Sequence, residues 1–173
     1  MTTWGERMTI KPVSLELGLA GVQRTLPIAL LRAREAVMLH FRPLLNAHGI
    51  SEQQWRVLRV LHDMGEMEGA TLGRVACILP PSLSRMLKSL SERGFVEVRS
   101  DPDDGRRHAI RLTEEGEAFL MTVSPSSSQI YEEIEARVGG ENIARLLDQV
   151  DALLQALESP RPDLPKSDRT GRA

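Results

Sequence analysis

The fold is decided between residues 80 and 116. That stretch reads Pro80-Pro81-Ser82-Leu83-Ser84-Arg85-Met86-Leu87-Lys88-Ser89-Leu90-Ser91-Glu92-Arg93-Gly94, then Phe95-Val96-Glu97-Val98-Arg99. It continues through Asp101-Pro102-Asp103-Asp104-Gly105 and His108-Ala109-Ile110-Arg111-Leu112 to Thr113-Glu114-Glu115-Gly116. The two prolines force a break, and Pro81 suits the first residue of a new helix because its missing N–H would be unpaired there anyway. Leu83, Met86, Leu87 and Leu90 recur at helical spacing from Ser82 to Arg93, and Gly94 stops the helix. The period then falls to two. Phe95–Arg99 reads as a short strand, the Asp/Pro/Gly run as a turn, and 108–112 as the returning strand. Thr113 caps a following helix whose first acids suit its positive end.

Working outward, Ile50-Ser51-Glu52-Gln53-Gln54-Trp55 has capping-box spacing at Ser51 and Gln54, with Ile50 and Trp55 at the hydrophobic-staple positions. It predicts a helix to about His62, packed on Trp55, Leu58 and Leu61. A shorter helix covers roughly 69–78, with Leu72, Val75 and Ala76 inward. Upstream, 25–47 places Leu26, Leu30, Ala33, Val37, Phe41 and Leu44 at helical spacing, ended by Gly49. Downstream, a fifth helix extends towards Val138, with Pro125 expected to kink or split it. After Gly139-Gly140, Ile143, Leu146, Leu147, Val150, Leu153, Leu154 and Leu157 stripe a sixth helix.

Three short helices and a two-stranded ribbon make a winged helix-turn-helix, so the class is mainly α with a small β component. The long flanking helices carry stripes too large for so small a module to cover, which implies a symmetric homodimer. The expected organisation is an arm at 1–24, a dimerisation helix at 25–50, the winged module at 51–112, dimerisation helices at 113–158 and a disordered tail at 159–173. A monomeric helical bundle with an incidental hairpin is the competing architecture.

On the fourth helix Ser82, Ser84, Arg85, Lys88 and Ser89 fall opposite Leu83, Leu87 and Leu90. This set suits double-stranded DNA, with arginine for guanine edges or phosphate and serine for phosphate. The wing adds Arg99, Arg106 and Arg107. Whole-chain charge argues the other way: 22 Lys and Arg against 24 Asp and Glu give −2. Distribution resolves this, because 113–173 holds 12 acids and 6 bases while 82–111 holds 7 bases and 5 acids.

The segments Gly94-Phe95-Val96, Asp101-Pro102-x-Asp104-x-Arg106-Arg107 and Leu112-Thr113-Glu114-x-Gly116 together resemble the MarR family of bacterial transcriptional regulators. Phe41-Arg42-Pro43, His48-Gly49, Glu52–Arg56 and Ala76-Cys77-Ile78-Leu79 narrow the resemblance to its homoprotocatechuate-degradation regulators, which are ligand-released repressors. The resemblance implies that Asp104 and Arg106 brace the wing and that an arginine at its tip enters the minor groove. Here the tip position is Asp103, which leaves that contact to Arg107 or leaves specificity to the helix.

The same resemblance implies an effector cleft between the dimer helices and the winged module. Arg34, His40, Arg42 and Trp55 suit a small aromatic acid there, the guanidiniums for its carboxylate and the rings for stacking. Competing roles exist at every one of these positions: Trp55 as core through the staple, and the arginines as solvated or paired with Glu35. Cys77 admits a thiol-oxidation sensor, although its apolar neighbours favour an inert core residue. A winged-helix protein-interaction module without a DNA role is a further alternative. No nucleophile elbow, dinucleotide fingerprint, phosphate loop or metal-ligand spacing is present, so neither an enzyme nor a cofactor is expected. The single cysteine and the lack of a membrane span or secretory segment point to a reducing cytoplasm.

Overall fold

In the computed structural model, residues 25–100 and 108–159 are described. The expected arm, the wing tip at 101–107 and the tail beyond Ser159 lie outside them. The element order is α1 (Leu26–Ala47), α2 (Glu52–Met64), β1 (Met67–Glu68), α3 (Gly69–Val75), α4 (Pro80–Glu92), β2 (Val96–Ser100), β3 (His108–Leu112), α5 (Glu114–Val138) and α6 (Gly140–Glu158). The chain divides into two compact units, Met1–Ser127 and Ser128–Ala173.

In the first unit, α2, α3 and α4 with a three-stranded antiparallel sheet form the winged helix-turn-helix. Strand order is β1-β3-β2, with Val98 opposite Ile110 and Met67 opposite the same Ile110 across the other edge. The sequence predicted a two-stranded ribbon; β1 is two residues long, too short to show a period. The core gathers Leu45, Val57, Leu58, Leu72, Leu90 and Ile110, all essentially inaccessible. Burying each such side chain contributes roughly 1.5–3 kcal/mol. The stripe on α3 is narrower than expected: Leu72 and Ala76 are buried, but Val75 is exposed and α3 ends at Val75. Gly73 is buried because a Cβ there would come 3.1 Å from the Ile78 carbonyl oxygen, so α3 and the following turn pack through backbone.

The ends of the helices carry the expected chemistry. Ser51 Oγ accepts from Gln54 N at 3.2 Å and Gln54 Oε1 accepts from Ser51 N at 3.0 Å, completing the capping box. Thr113 Oγ1 accepts from Gly116 N at 3.0 Å and donates to the Gly94 carbonyl at 2.5 Å. That one side chain caps α5 and ties it to the α4–β2 corner. Helix α5 runs unbroken through Pro125, contrary to a split. The proline frees the Met121 carbonyl, but Met121 and Pro125 are both exposed, so water can take up that acceptor. The first half of α5 contributes Leu120 and Val123 to the winged unit's core, which therefore extends past the predicted boundary at Leu112.

Two apolar faces are left uncovered. On α1, Phe41 and Leu45 point inward while Leu26, Leu30, Leu31, Val37 and Leu39 are exposed. In the second unit, α6 buries none of its residues, and Leu146, Leu147, Leu154 and Leu157 are exposed.

Candidate nucleic-acid interface and effector cleft

The face of α4 opposite Leu83 and Leu90 presents Ser84, Arg85 and Lys88 to solvent, with Ser82 half-exposed. Lys88 Nζ sits 3.9 Å from Glu92, a loose pair on side chains that both remain largely exposed. Ser84 Oγ donates to the Pro80 carbonyl at 3.1 Å while the residue stays exposed. Ser89 departs from this set. It is half-buried and its Oγ accepts from Gln54 Nε2 at 3.3 Å, so it faces α2.

The helix is held in place from both ends. Arg56 Nη1 donates to the Ala76 carbonyl at 2.8 Å, fixing the α3–α4 turn. Arg93 Nη1 donates to the Gly49 carbonyl at 2.8 Å, and its guanidinium lies 4.5 Å from the centre of the Phe95 ring. Phe95 in turn stacks on Phe119 of α5 with centroids 4.5 Å apart.

Arg99, expected at the wing's DNA contact, binds Glu97 two residues before it, with Nε at 2.8 Å from Oε1. Arg111 reaches the other oxygen of the same carboxylate at 2.5 Å. Arg99 and then Arg111 hold the Glu97 carboxyl below the usual carboxylate range. Arg99 is thus partly offset by its neighbour. Asp104, Arg106 and Arg107 lie outside the described residues.

The arginines assigned to an effector are occupied. Arg34 and Arg42 form a four-membered network with Glu35 and Glu52: Arg34 bonds Glu35 at 2.7 Å and Glu52 at 2.5 Å, and Arg42 bonds Glu52 at 2.5 Å and also Glu35. Two cations and two anions cancel, so this cluster holds no net charge for a ligand carboxylate. Glu52 begins α2, so the network fastens α1 to α2. Arg42, reinforced by Arg34, keeps the Glu52 carboxyl below its ordinary value of 4.5. A depressed carboxylate adds stability that is fully present above its unfolded pKa and is lost as pH falls through the folded one. Glu52→Gln is therefore expected to be less stable than the parent at pH 7. Urea denaturation repeated at pH 3 should show that difference closing; a difference that persists in acid would mean the network contributes nothing through charge.

Of the assigned effector residues, Trp55 lines a cleft between α2 and α5. Half-buried on α2, it borders a cavity of about 110 Å³ with Arg59, His62, Leu120, Met121 and Ser124, between α2 and the first half of α5. His40 is half-buried on α1, and neither it, Arg34 nor Arg42 is among the lining residues. The residue that sequence reasoning missed is Arg59. It lies one turn beyond Trp55, and its Nε is buried without a hydrogen-bond partner among the described residues. Its Nη2 is 3.6 Å from Asp63, a loose i,i+4 pair. A buried donor left unpaired costs about 1–3 kcal/mol, so an acceptor that reached Nε on widening of the cleft would relieve it. At the rim, His62 Nδ1 and Glu117 Oε2 are hydrogen bonded at 2.8 Å and bridge α2 to α5.

Cys77 is exposed rather than buried and takes a left-handed backbone, φ 52°. Among the described residues no three His, Cys, Asp or Glu side chains gather as a metal ion would require, and no helix is long and apolar enough to cross a membrane.

Comparison with known proteins places this architecture. The MarR family model matches residues 50–108. The homoprotocatechuate degradative operon repressor of Escherichia coli is 36% identical over 141 residues, covering 82% of this chain and 95% of that protein. Among solved structures, the transcriptional regulator PA4135 is 43% identical with a TM-score of 0.74, covering 76% of this chain and 96% of that one. NadR, solved in complex with 4-hydroxyphenylacetate, is 35% identical with a TM-score of 0.72, covering 77% and 97%. The chain belongs to the MarR family of transcriptional regulators.

Proposed function

We propose that this protein is a homodimeric repressor that binds a pseudo-palindromic DNA operator and is released by a small phenolic or aromatic carboxylic acid. The observation that carries the effector half is the α2–α5 cleft, which is lined by Trp55 and by Arg59, whose Nε is buried with no hydrogen-bond partner among the described residues. Indole stacks on a ring and guanidinium pairs with a carboxylate, so an aromatic acid satisfies both. That NadR was solved with 4-hydroxyphenylacetate and that the Escherichia coli relative is a repressor of a homoprotocatechuate operon support the same ligand class.

The cleft's 110 Å³ is well below the roughly 300–1,000 Å³ of ordinary ligand pockets. An aromatic acid must therefore widen it, and only a state that binds the ligand better can be drawn out by it. Because α2 holds the α3–α4 turn through Arg56 and meets α4 through Gln54 and Ser89, widening at Trp55 and Arg59 moves the recognition helix. In a dimer two such helices must sit about 34 Å apart to meet successive major grooves, and a changed spacing no longer fits. The apolar faces of α1 and α6 supply the dimer surface.

Selection from a random-sequence duplex pool, followed by gel shift at fixed salt, tests the DNA half. Arg85→Ala should cost about 1–3 kcal/mol and relax preference at one base pair, while Lys88→Ala should lower affinity for all sequences and reduce the salt slope by about one. Unchanged affinity in both variants would remove α4 from recognition. Failure to select any sequence would favour a protein-interaction role. Exposure alone speaks for a thiol sensor at Cys77, and the cleft favours the acid.

A further inference from the structure

Leu79 is the most exposed large hydrophobic residue among those described, at 76%, and it does not belong to either uncovered dimer face. It stands immediately before α4, beside exposed Cys77, Pro80 and Pro81. Leu79, Cys77 and Pro80, with exposed Val98, edge an apolar groove of about 830 Å³ between α3, α4 and the sheet. Among the described residues, the groove's lining holds two cations, Arg74 and Lys88, and no carboxylate. An apolar patch set among cations is at odds with a merely solvated surface.

Two alternative uses are closed by the local chemistry. A phosphate would need backbone donors, but Pro80 and Pro81 have no N–H, and those of Ser82 and Leu83 are each bonded to the Leu79 carbonyl at 3.0 Å. A protein partner drawn by apolar area alone would not call for cations and exposed hydroxyls along the same helix. Base edges in the major groove offer a single apolar group, the C5-methyl of thymine.

We propose that Leu79, supported by Pro80, reads thymine methyl groups of the operator, making it a specificity determinant separate from the polar contacts of Arg85 and Lys88. The inference rests on the DNA-binding function proposed above. It assigns a base identity that those polar residues do not supply.

The test uses the tightest duplex recovered by selection from random DNA, with each thymine replaced in turn by deoxyuridine, which lacks only the methyl. Wild-type protein should lose about fourfold in affinity at one or two positions per half-site, the worth of one buried methyl-sized group. Leu79→Ala should bind thymine and uracil duplexes equally at those positions. Arg85→Ala, though weaker throughout, should keep the wild-type discrimination. Equal thermal melting of Leu79→Ala and wild type checks that the fold is intact. A wild type indifferent to every uracil substitution, or a Leu79→Ala variant that still discriminates, overturns the assignment. If no duplex binds specifically at all, the DNA-binding function falls first and this inference falls with it.

Discussion

Replacing Gly116 with alanine should unfold the winged module's junction with α5, lowering stability by at least about 3 kcal/mol, the upper end of overpacking effects. An ideal Cβ at this position lies 2.2 Å from the Phe95 carbonyl oxygen and 3.0 Å from Leu112 Cδ1. The carbonyl has no room to retreat, because it accepts the Thr113 N–H at 3.1 Å, and Thr113 itself caps Gly116 and bonds Gly94. Relief would have to break the cap, lose the strand-end hydrogen bond or lift α5 off Phe95. Since a domain's whole stability is about 5–15 kcal/mol, the loss is a large part of it. Thermal melting followed by circular dichroism should show a drop of roughly 6–12 °C for a chain of this size. Gly49→Asn is the matched control: its φ of 60° is tolerated by asparagine and nothing lies within 4 Å of the added Cβ. A Gly116→Ala protein that melts like the parent would show that α5 does not approach Phe95 as closely as described.

The second large effect concerns assembly. Leu147 and Leu154 lie two turns apart on α6 and are 58% and 48% exposed. Changing both to aspartate places two charges on the proposed dimer surface, where each costs several kcal/mol unless paired. The helix itself should persist, because no α6 side chain is buried in the chain alone. Sedimentation equilibrium should report the 19.3 kDa monomer for the variant and twice that mass for the parent. Affinity for a two-half-site duplex should fall by a factor of about 100 or more, since each half-site then binds without the effective concentration its partner provided. A variant that remains dimeric would move the interface to α1 alone.

Much of this fold was legible because it rests on local chemistry. Ser51 and Gln54 are three residues apart and needed no tertiary knowledge to be recognised as a capping box. Pro80-Pro81, Gly94 and the switch of period at Phe95 marked α4 and β2 in the same way. Leu112-Thr113-x-x-Gly116 was legible as a family motif, and the structure gives it a physical basis: threonine caps, and glycine admits the Phe95 carbonyl.

The site was less legible, because what a cation does depends on partners distant in sequence. Pairing of Arg34 and Arg42 with Glu35 was legible along the chain, but Glu52 lies eighteen residues from Arg34 and ten from Arg42, so its share of the network was not. Arg59 carried no signal of its own in the sequence, whereas packing leaves its Nε buried without a hydrogen-bond partner among the described residues. Spacing from Trp55 was the available signal, since residues four apart share a helix face. Ser89 sat on the predicted DNA face by angle alone, yet its turn of α4 leans on Gln54. Cys77 belonged to an apolar run, but the left-handed turn after α3 rotates it outward.

The most direct test of the effector account is fluorescence anisotropy of the selected DNA duplex bound to the full chain, titrated with 4-hydroxyphenylacetate. The account predicts that the acid raises the apparent Kd for DNA at least about tenfold, within the usual range of allosteric coupling. It also predicts that Arg59→Met binds DNA normally but is released only at far higher acid, and that the uncharged amide of the same compound releases neither protein. DNA complexes that stay intact at every concentration of acid, or an Arg59→Met protein released like the wild type, would contradict it.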